Sequence, residues 1–257
     1  MTMSEWTYAA ILTALLGLAV GSFLNVCVYR IPAGKSVVSP PSHCPYCGTR
    51  LRPADLIPVA SYLILKGRCR YCKTPVSLRY PLVEALTSAL FLLVFYSFGA
   101  EIDLIKYLFL TALMIAVAFI DLDHYIIPNR LVLAGLIAGS LFIPLTGEPP
   151  LLDALSGVLA ASGFLLFLYL VSRGGMGMGD IKLAAVIGIF LGWPMSLFAV
   201  FSACFLAGIL GIALIATGVK KRKDPIPFGP FLAAGTFITS IWGPELAELY
   251  RSFILGF

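Results

Sequence analysis

This sequence predicts an all-α polytopic membrane protein: about eight transmembrane helices, with a small zinc-binding cytoplasmic loop domain between the first two. Three observations carry that reading. Of 257 residues, 60% are hydrophobic and only 12% are charged, where a soluble domain has about 25% charged residues. The apolar residues gather into runs close to the ~17–25 residues that cross a bilayer as a helix. Four of the six cysteines form two C-x2-C pairs inside the one long polar stretch, the pattern of a four-thiolate metal site.

The predicted spans, in order, are 6–29, 82–98, 104–120, 131–145, 151–171, 181–193, 195–219 and 228–242. Ahead of the first stands Glu5 and no basic residue. That run ends in Gly21-Ser22-Phe23-Leu24-Asn25 with no Ala-x-Ala-like site, so a retained helix is expected and not a cleaved signal peptide. Gly188, Gly192 and Pro194 make a tight hairpin of the sixth and seventh spans. The tail 246–257 is too short to cross again. Three domains follow: residues 1–29 as the first transmembrane helix, 30–81 as the cysteine loop, and 82–257 as a seven-helix core.

Basic residues set the orientation. Sixteen of the eighteen Lys and Arg fall on the side of the 30–80 loop; only Lys106 and Arg251 fall on the other. By the positive-inside rule that loop is cytoplasmic and both termini face outward. The net charge of +5 is thereby a topology signal. No basic stretch is interleaved with aromatics as a single-strand binder needs, so no nucleic-acid partner is expected. The run Lys220-Lys221-Arg222-Lys223 reads as an anchor on the anionic headgroups of inner-membrane lipids.

Cys44, Cys47, Cys69 and Cys72, with 21 residues between the pairs, can complete a closed tetrahedral thiolate site of the structural zinc type. The loop is too small and polar to build a core unaided, so metal binding would supply its folding energy. Iron is a second option, and two disulfides a third; a reducing cytoplasm disfavours disulfides. Cys27 and Cys204 lie in apolar runs and read as small buried hydrophobes.

The stretch 173–182 places Asp180 at the mouth of a span, after four glycines that let another group approach closely. An ionisable residue at membrane depth is costly and implies a functional partner. The best partner is Asp121, at the end of the third span. The topology puts both at cytoplasmic span ends. Two carboxylates held together share a proton, so one can activate water while the other protonates: the arrangement of aspartic peptide hydrolysis. A helix N-terminus at Asp180 favours it as base, with Asp121 as acid. Each acid also has a plain structural reading, Asp121 or Asp123 at the membrane surface and Asp180 as an N-cap. Asp123, two residues on, points to a different side of the helix.

Gly177-Met178-Gly179-Asp180 matches the G-x-G-D signature of membrane aspartyl proteases, and the chain resembles the bacterial type IV prepilin peptidases, or leader peptidase/N-methyltransferases. Gly21-Ser22-Phe23-Leu24-Asn25-Val26 with Arg30, both cysteine pairs, Arg79-Tyr80-Pro81-Leu82-Val83-Glu84, Asp121 with Ile127-Pro128-Asn129, Gly177 to Lys182, and Pro227-Phe228-Gly229-Pro230-Phe231 all follow the family order, so the resemblance covers nearly the whole chain. It selects Asp121 over Asp123 and gives Asp121 and Asp180 as the catalytic pair, with Gly177, Gly179 and Lys182 supporting the loop. It implies cleavage at the cytoplasmic face of the bacterial inner membrane. The substrates would be type IV prepilins and type II secretion pseudopilins, with a basic leader, a Gly before the cut and a Glu shortly after it. It further implies methylation of the new N-terminus with S-adenosylmethionine. Gly21, Asn25, Arg30 and Glu84 are the residues for that second reaction, or for a structural ion pair. Shorter family members lack the cysteine loop; this chain has it.

A proton- or ion-coupled transporter could use the same two acids as a relay. It would need a polar route to the outer face, where the spans are nearly all apolar. A zinc-loop scaffold without catalysis is the third reading.

Overall fold

The computed structural model describes residues 2–173, 175–221 and 224–255. Gly174, the Arg222-Lys223 part of the basic run and the side chain of Arg251 lie outside the described residues. Among the described residues the regular elements are helices: α1 (Met3–Arg30), α2 (Ala60–Ile64), α3 (Arg79–Phe98), α4 (Ile102–His124), α5 (Asn129–Thr146), α6 (Leu151–Val171), α7 (Met178–Leu191), α8 (Met195–Ala216) and α9 (Gly229–Leu255), with a 3-10 turn at Pro53–Asp55. The eight predicted spans correspond to α1 and α3 to α9. The tail expected to follow the last span instead continues α9 to Leu255.

Six of these helices, α1, α3, α4, α5, α6 and α8, are long and apolar enough to cross a bilayer. Helix α7 has only 14 residues, because Gly192, at φ +68°, ends it. That makes it about 21 Å long, short of the ~30 Å hydrocarbon core. A short helix of this kind lets a side chain in its first turn lie below the membrane surface.

The chain divides into two compact units, Met1–Leu104 and Ile105–Phe257. In the first, α1 and α3 pack along their length because Gly17 and Gly21 bring the backbones together: a Cβ at Gly17 would lie 2.6 Å from Ser88 Cα, and one at Gly21 would lie 2.7 Å from Glu84 Cα. Ser88 Oγ donates to the Ala14 carbonyl across the same seam, at 2.9 Å. Small residues at the contact are the usual means of association where lipid tails compete equally for apolar surface.

The second unit is built around α7. Leu183, Ala184, Val186 and Ile187 are wholly buried, as befits a helix that is apolar all round. Gly157 of α6 meets the Gly188 carbonyl and Gly192 of α7, and Gly188 in turn meets the Val158 backbone. Gly135 and Gly139 of α5 leave room for Val186, Ile189 and Phe190. Phe190 stacks on Phe109 of α4, with ring centroids 6.2 Å apart and planes at 12°.

Candidate active site

Asp121 occupies the last turn of α4 and is buried, at 5% exposure. Asp123 and His124, on other sides of the same turn, are exposed. Asp180 is the third residue of α7 and is also buried, at 7% exposure. The N-cap of α7 is Gly177, so Asp180 is not the cap expected of its plain reading. Its carboxylate folds back over the Gly177 backbone, where a Cβ would stand 3.0 Å from Oδ2. The structure brings the two acids to one corner: Gly179, beside Asp180, packs on Ile127 just beyond α4, and the Asp180 carboxyl lies within range of the Asp121 charge. Like charges held this close favour a state in which one proton serves both groups.

Both acids are held by backbone approaches that only glycine allows. The Gly229 N–H, at the first residue of α9, donates to Asp121 Oδ2 at 2.8 Å in a buried contact. A Cβ on Gly229 would lie 2.9 Å from that oxygen. At Gly179 a Cβ would lie 2.9 Å from Ile127 Cβ, so the α4–α5 corner sits directly on the first turn of α7. Lys182 Nζ clamps the same corner by donating to Asn129 Oδ1 at 3.0 Å. Lys220 stands 5.9 Å from the centroid of the Tyr125 ring on that corner. Each aspartate therefore has a helix N-terminus beside it, α7 for Asp180 and α9 for Asp121. The asymmetry expected from Asp180 alone is absent.

The four cysteine sulfurs lie within 4.8 Å of one another and form no disulfide. One edge, Cys44 Sγ to Cys72 Sγ, is 3.8 Å. A tetrahedron of thiolates at the ~2.3 Å metal–sulfur distance of zinc has edges of about 3.8 Å, so the set fits a metal ion of that size. The two halves repeat. In Cys44-Pro45-Tyr46-Cys47-Gly48-Thr49, Cys44 N–H donates to the Thr49 carbonyl at 3.0 Å. In Cys69-Arg70-Tyr71-Cys72-Lys73-Thr74, Cys69 N–H donates to the Thr74 carbonyl at 2.9 Å. Gly48 and Lys73 both take φ near +60° at the equivalent place. The Thr74 hydroxyl beside Cys72 pulls that thiol down to about 6, the direction a metal ligand needs. The Arg70 guanidinium, helped by the Arg52 N–H and the Tyr71 hydroxyl, holds the Asp55 carboxyl below its usual range and ties the 3-10 turn to the second half.

Gly21, Asn25 and Glu84 meet where α1 crosses α3. Asn25 Nδ2 donates to the Tyr80 carbonyl at 3.1 Å, and Glu84 Oε2 accepts the Val59 N–H at 2.7 Å. Arg30, one and a half turns beyond Asn25, donates to the Ser36 carbonyl at 3.1 Å. Of the structural ion pairs the sequence allows for Glu84, with Arg30 or with Arg79, the one with Arg30 is not formed.

Two features escaped the sequence. The contact at Gly229 is a backbone donor, which no side-chain pattern reveals; only the Pro227–Phe231 motif marked the place. The repeat of the cysteine halves is visible as Cys-x-Tyr-Cys-x-Thr occurring twice, too short to register beside eight helices.

Two family models match. The bacterial peptidase A24 N-terminal domain covers residues 15–98, and the type IV leader peptidase family covers residues 108–212. The prepilin leader peptidase/N-methyltransferase of Bacillus subtilis is 35% identical over 249 residues, covering 94% of this chain and 98% of that protein. The chain belongs to the type IV leader peptidase family. The enzyme of the same name from Pseudomonas aeruginosa is 36% identical over 269 residues, covering 94% of this chain and 93% of its own. That of Myxococcus xanthus is 43% identical over 218 residues, covering 81% of this chain and 64% of the relative. No solved structure matches the chain. The family's peptidase model spans the helices that carry Asp121 and Asp180, and its N-terminal model spans the cysteine repeat.

Proposed function

We propose that this chain is a membrane aspartyl endopeptidase that removes the leaders of type IV prepilins and type II secretion pseudopilins and then N-methylates the new N-terminal residue. The observation that carries the proposal is the pair of buried, mutually interacting carboxylates at Asp121 and Asp180. In this reading a water between them loses a proton to one carboxylate as its oxygen attacks the scissile carbonyl carbon. The other carboxyl, carrying the shared proton, hydrogen-bonds the developing oxyanion. On collapse, the carbon–nitrogen bond breaks and the leaving amine takes a proton from the pair. Gly229 N–H keeps Asp121 from rotating away, and the Lys182–Asn129 clamp keeps the first turn of α7 against the α4–α5 corner.

The excess of Lys and Arg on one side supports a cytoplasmic-face position for the acids, in the bacterial inner membrane. Cys44, Cys47, Cys69 and Cys72 would hold a structural zinc ion. Methyl transfer is assigned to the first unit, around Gly21, Asn25, Arg30 and Glu84. Glu84 is a buried acid with no basic partner among the described residues, a charge that suits a sulfonium or ammonium cation. S-adenosylmethionine, when bound, supplies the methyl group. Nothing in the helix packing favours the transporter reading.

The test incubates Asp121→Asn and Asp180→Asn, each reconstituted in lipid, with a prepilin, and reads the product mass. Each should lower cleavage by at least about 100-fold, the low end of what a positioned acid or base contributes. Methylation of a pre-cleaved pilin should persist. Wild-type cleavage by either variant would refute the pair.

A further inference from the structure

The cytoplasmic loop contains one feature that the metal site does not use. Leu56-Ile57-Pro58-Val59-Ala60-Ser61-Tyr62-Leu63-Ile64-Leu65 is a run almost wholly apolar, between Asp55 and Lys66. A run of this length is too short to span a bilayer; it marks a core helix or a segment lying at the interface. It is not core. Leu56 is 41% exposed, Ile57 52%, Leu63 67% and Ile64 73%. Tyr62 alone turns back to the cysteine repeat, its hydroxyl donating to the Val76 carbonyl at 3.3 Å.

The run is also fixed at a definite depth. The Val59 N–H is bonded to Glu84 Oε2. Glu84 lies five residues into α3, one of the helices apolar enough to span, and so about 7.5 Å along its axis. Leu82 and Leu86, in the same turns of α3, are exposed apolar side chains. The attachment is made at a cost. Val59 is β-branched yet sits at φ +60°, ψ −51°, the centre of a γ-turn closed by Ala60 N–H to the Pro58 carbonyl at 2.5 Å. A conformation this sparsely populated persists only where its surroundings hold it. Beyond the run, Lys66, Arg68 and Arg70 are exposed, as is Arg52 ahead of it.

We propose that residues 56–65 lie in the membrane, as an interfacial segment that seats the cysteine repeat on the cytoplasmic leaflet. Its occupant is the lipid bilayer. Leu56, Ile57, Leu63 and Ile64 enter the acyl boundary, and the flanking Arg52, Lys66 and Arg68 meet anionic headgroups. The position of Glu84 along α3 matches the ~5–10 Å to which interfacial helices bury their apolar face, and the Val59–Glu84 bond ties the run to that turn of α3. The inference needs only that α1 and α3 span; it is independent of the chemistry assigned to the aspartates.

The test uses the full chain with Trp6, Trp193 and Trp242 replaced by Phe, reconstituted in phosphatidylethanolamine/phosphatidylglycerol vesicles with or without bromine on the acyl chains. Leu63→Trp should lose about half or more of its fluorescence in brominated lipid, as an indole in the acyl boundary does. Tyr46→Trp, on the cysteine repeat at 73% exposure, should be unchanged. If Leu63→Trp does not fold, Ile64→Trp gives the same reading. Equal intensity for the position 63 and 64 indoles in both lipids overturns the proposal. So does an indole open to iodide in vesicles and shielded only when a prepilin is added, since the patch would then belong to the peptide.

Discussion

Replacing Gly229 by Ala is the most direct probe of how Asp121 is held. The added Cβ would stand 2.9 Å from Asp121 Oδ2, 3.0 Å from its Cβ and 3.2 Å from its Cγ. One of these groups must move, and both belong to packed helices, α4 and α9. The shift lengthens or breaks the 2.8 Å bond from Gly229 N–H. A hydrogen bond to a charged acceptor contributes about 1.5–3 kcal/mol, so a carboxylate that depends on it for position should lose about 10- to 150-fold in kcat/KM. The assay is the initial rate of prepilin cleavage by mass spectrometry in lipid. Gly208→Ala is the control: it lies in α8 with open space where its Cβ would go, and it should cleave at the wild-type rate. A thermal midpoint for Gly229→Ala close to wild type would separate misplacement from unfolding. Wild-type cleavage by Gly229→Ala would refute the claim that this backbone contact positions the acid.

Four further outcomes are expected. Plasma emission spectrometry should find one zinc per chain, falling to none in Cys44→Ser; a chain that keeps its zinc in that variant would remove the four-sulfur site. Hydrogen exchange over residues 42–75 should rise in the same variant, while α6 and α7 stay protected, because a metal held by the four cysteines would supply folding energy only to the loop. Gly188→Ala should lower stability by roughly 1–3 kcal/mol by forcing a Cβ into the Val158 backbone of α6. Gly163→Ala, with nothing near its Cβ, should be neutral in the same melt. Lys182→Met should reduce cleavage by less than about tenfold, since the clamp to Asn129 is exposed and worth on the order of 1 kcal/mol; a thousandfold loss would show that Lys182 touches the reaction itself.

The helices were legible because lipid demands long apolar runs, and six of the eight stand alone by that test. The short α7 was legible only through its glycines, Gly177 and Gly179 before it and Gly192 after, which mark where the helix begins and stops. The acids were legible as charges in an apolar context, and Asp180 falls where its motif put it. What was not legible is the third helix at the site. Asp121 and Gly229 are 108 residues apart, and their bond uses a main-chain N–H that every residue except proline carries. The sequence shows that position 229 is glycine, and the need for glycine appears only once Asp121 occupies the space of its missing Cβ.

The same reasoning explains why the site tolerates two buried acids at all. A carboxylate at membrane depth needs hydrogen-bond donors or a proton. Helices offer unpaired N–H groups only at their N-termini, so an acid inside a bundle is best served where a helix begins. Here two helices begin at the same place. Helix α7 starts at Met178, after a glycine-rich bend, and α9 starts at Gly229, before Pro230; each faces a carboxylate. Both starts require glycine, at 177 and 229, because a side chain would occupy the space of the acid it faces. The arrangement keeps the two acids close without a salt bridge, which would hold both permanently ionised and remove the shared proton on which the proposed hydrolysis depends.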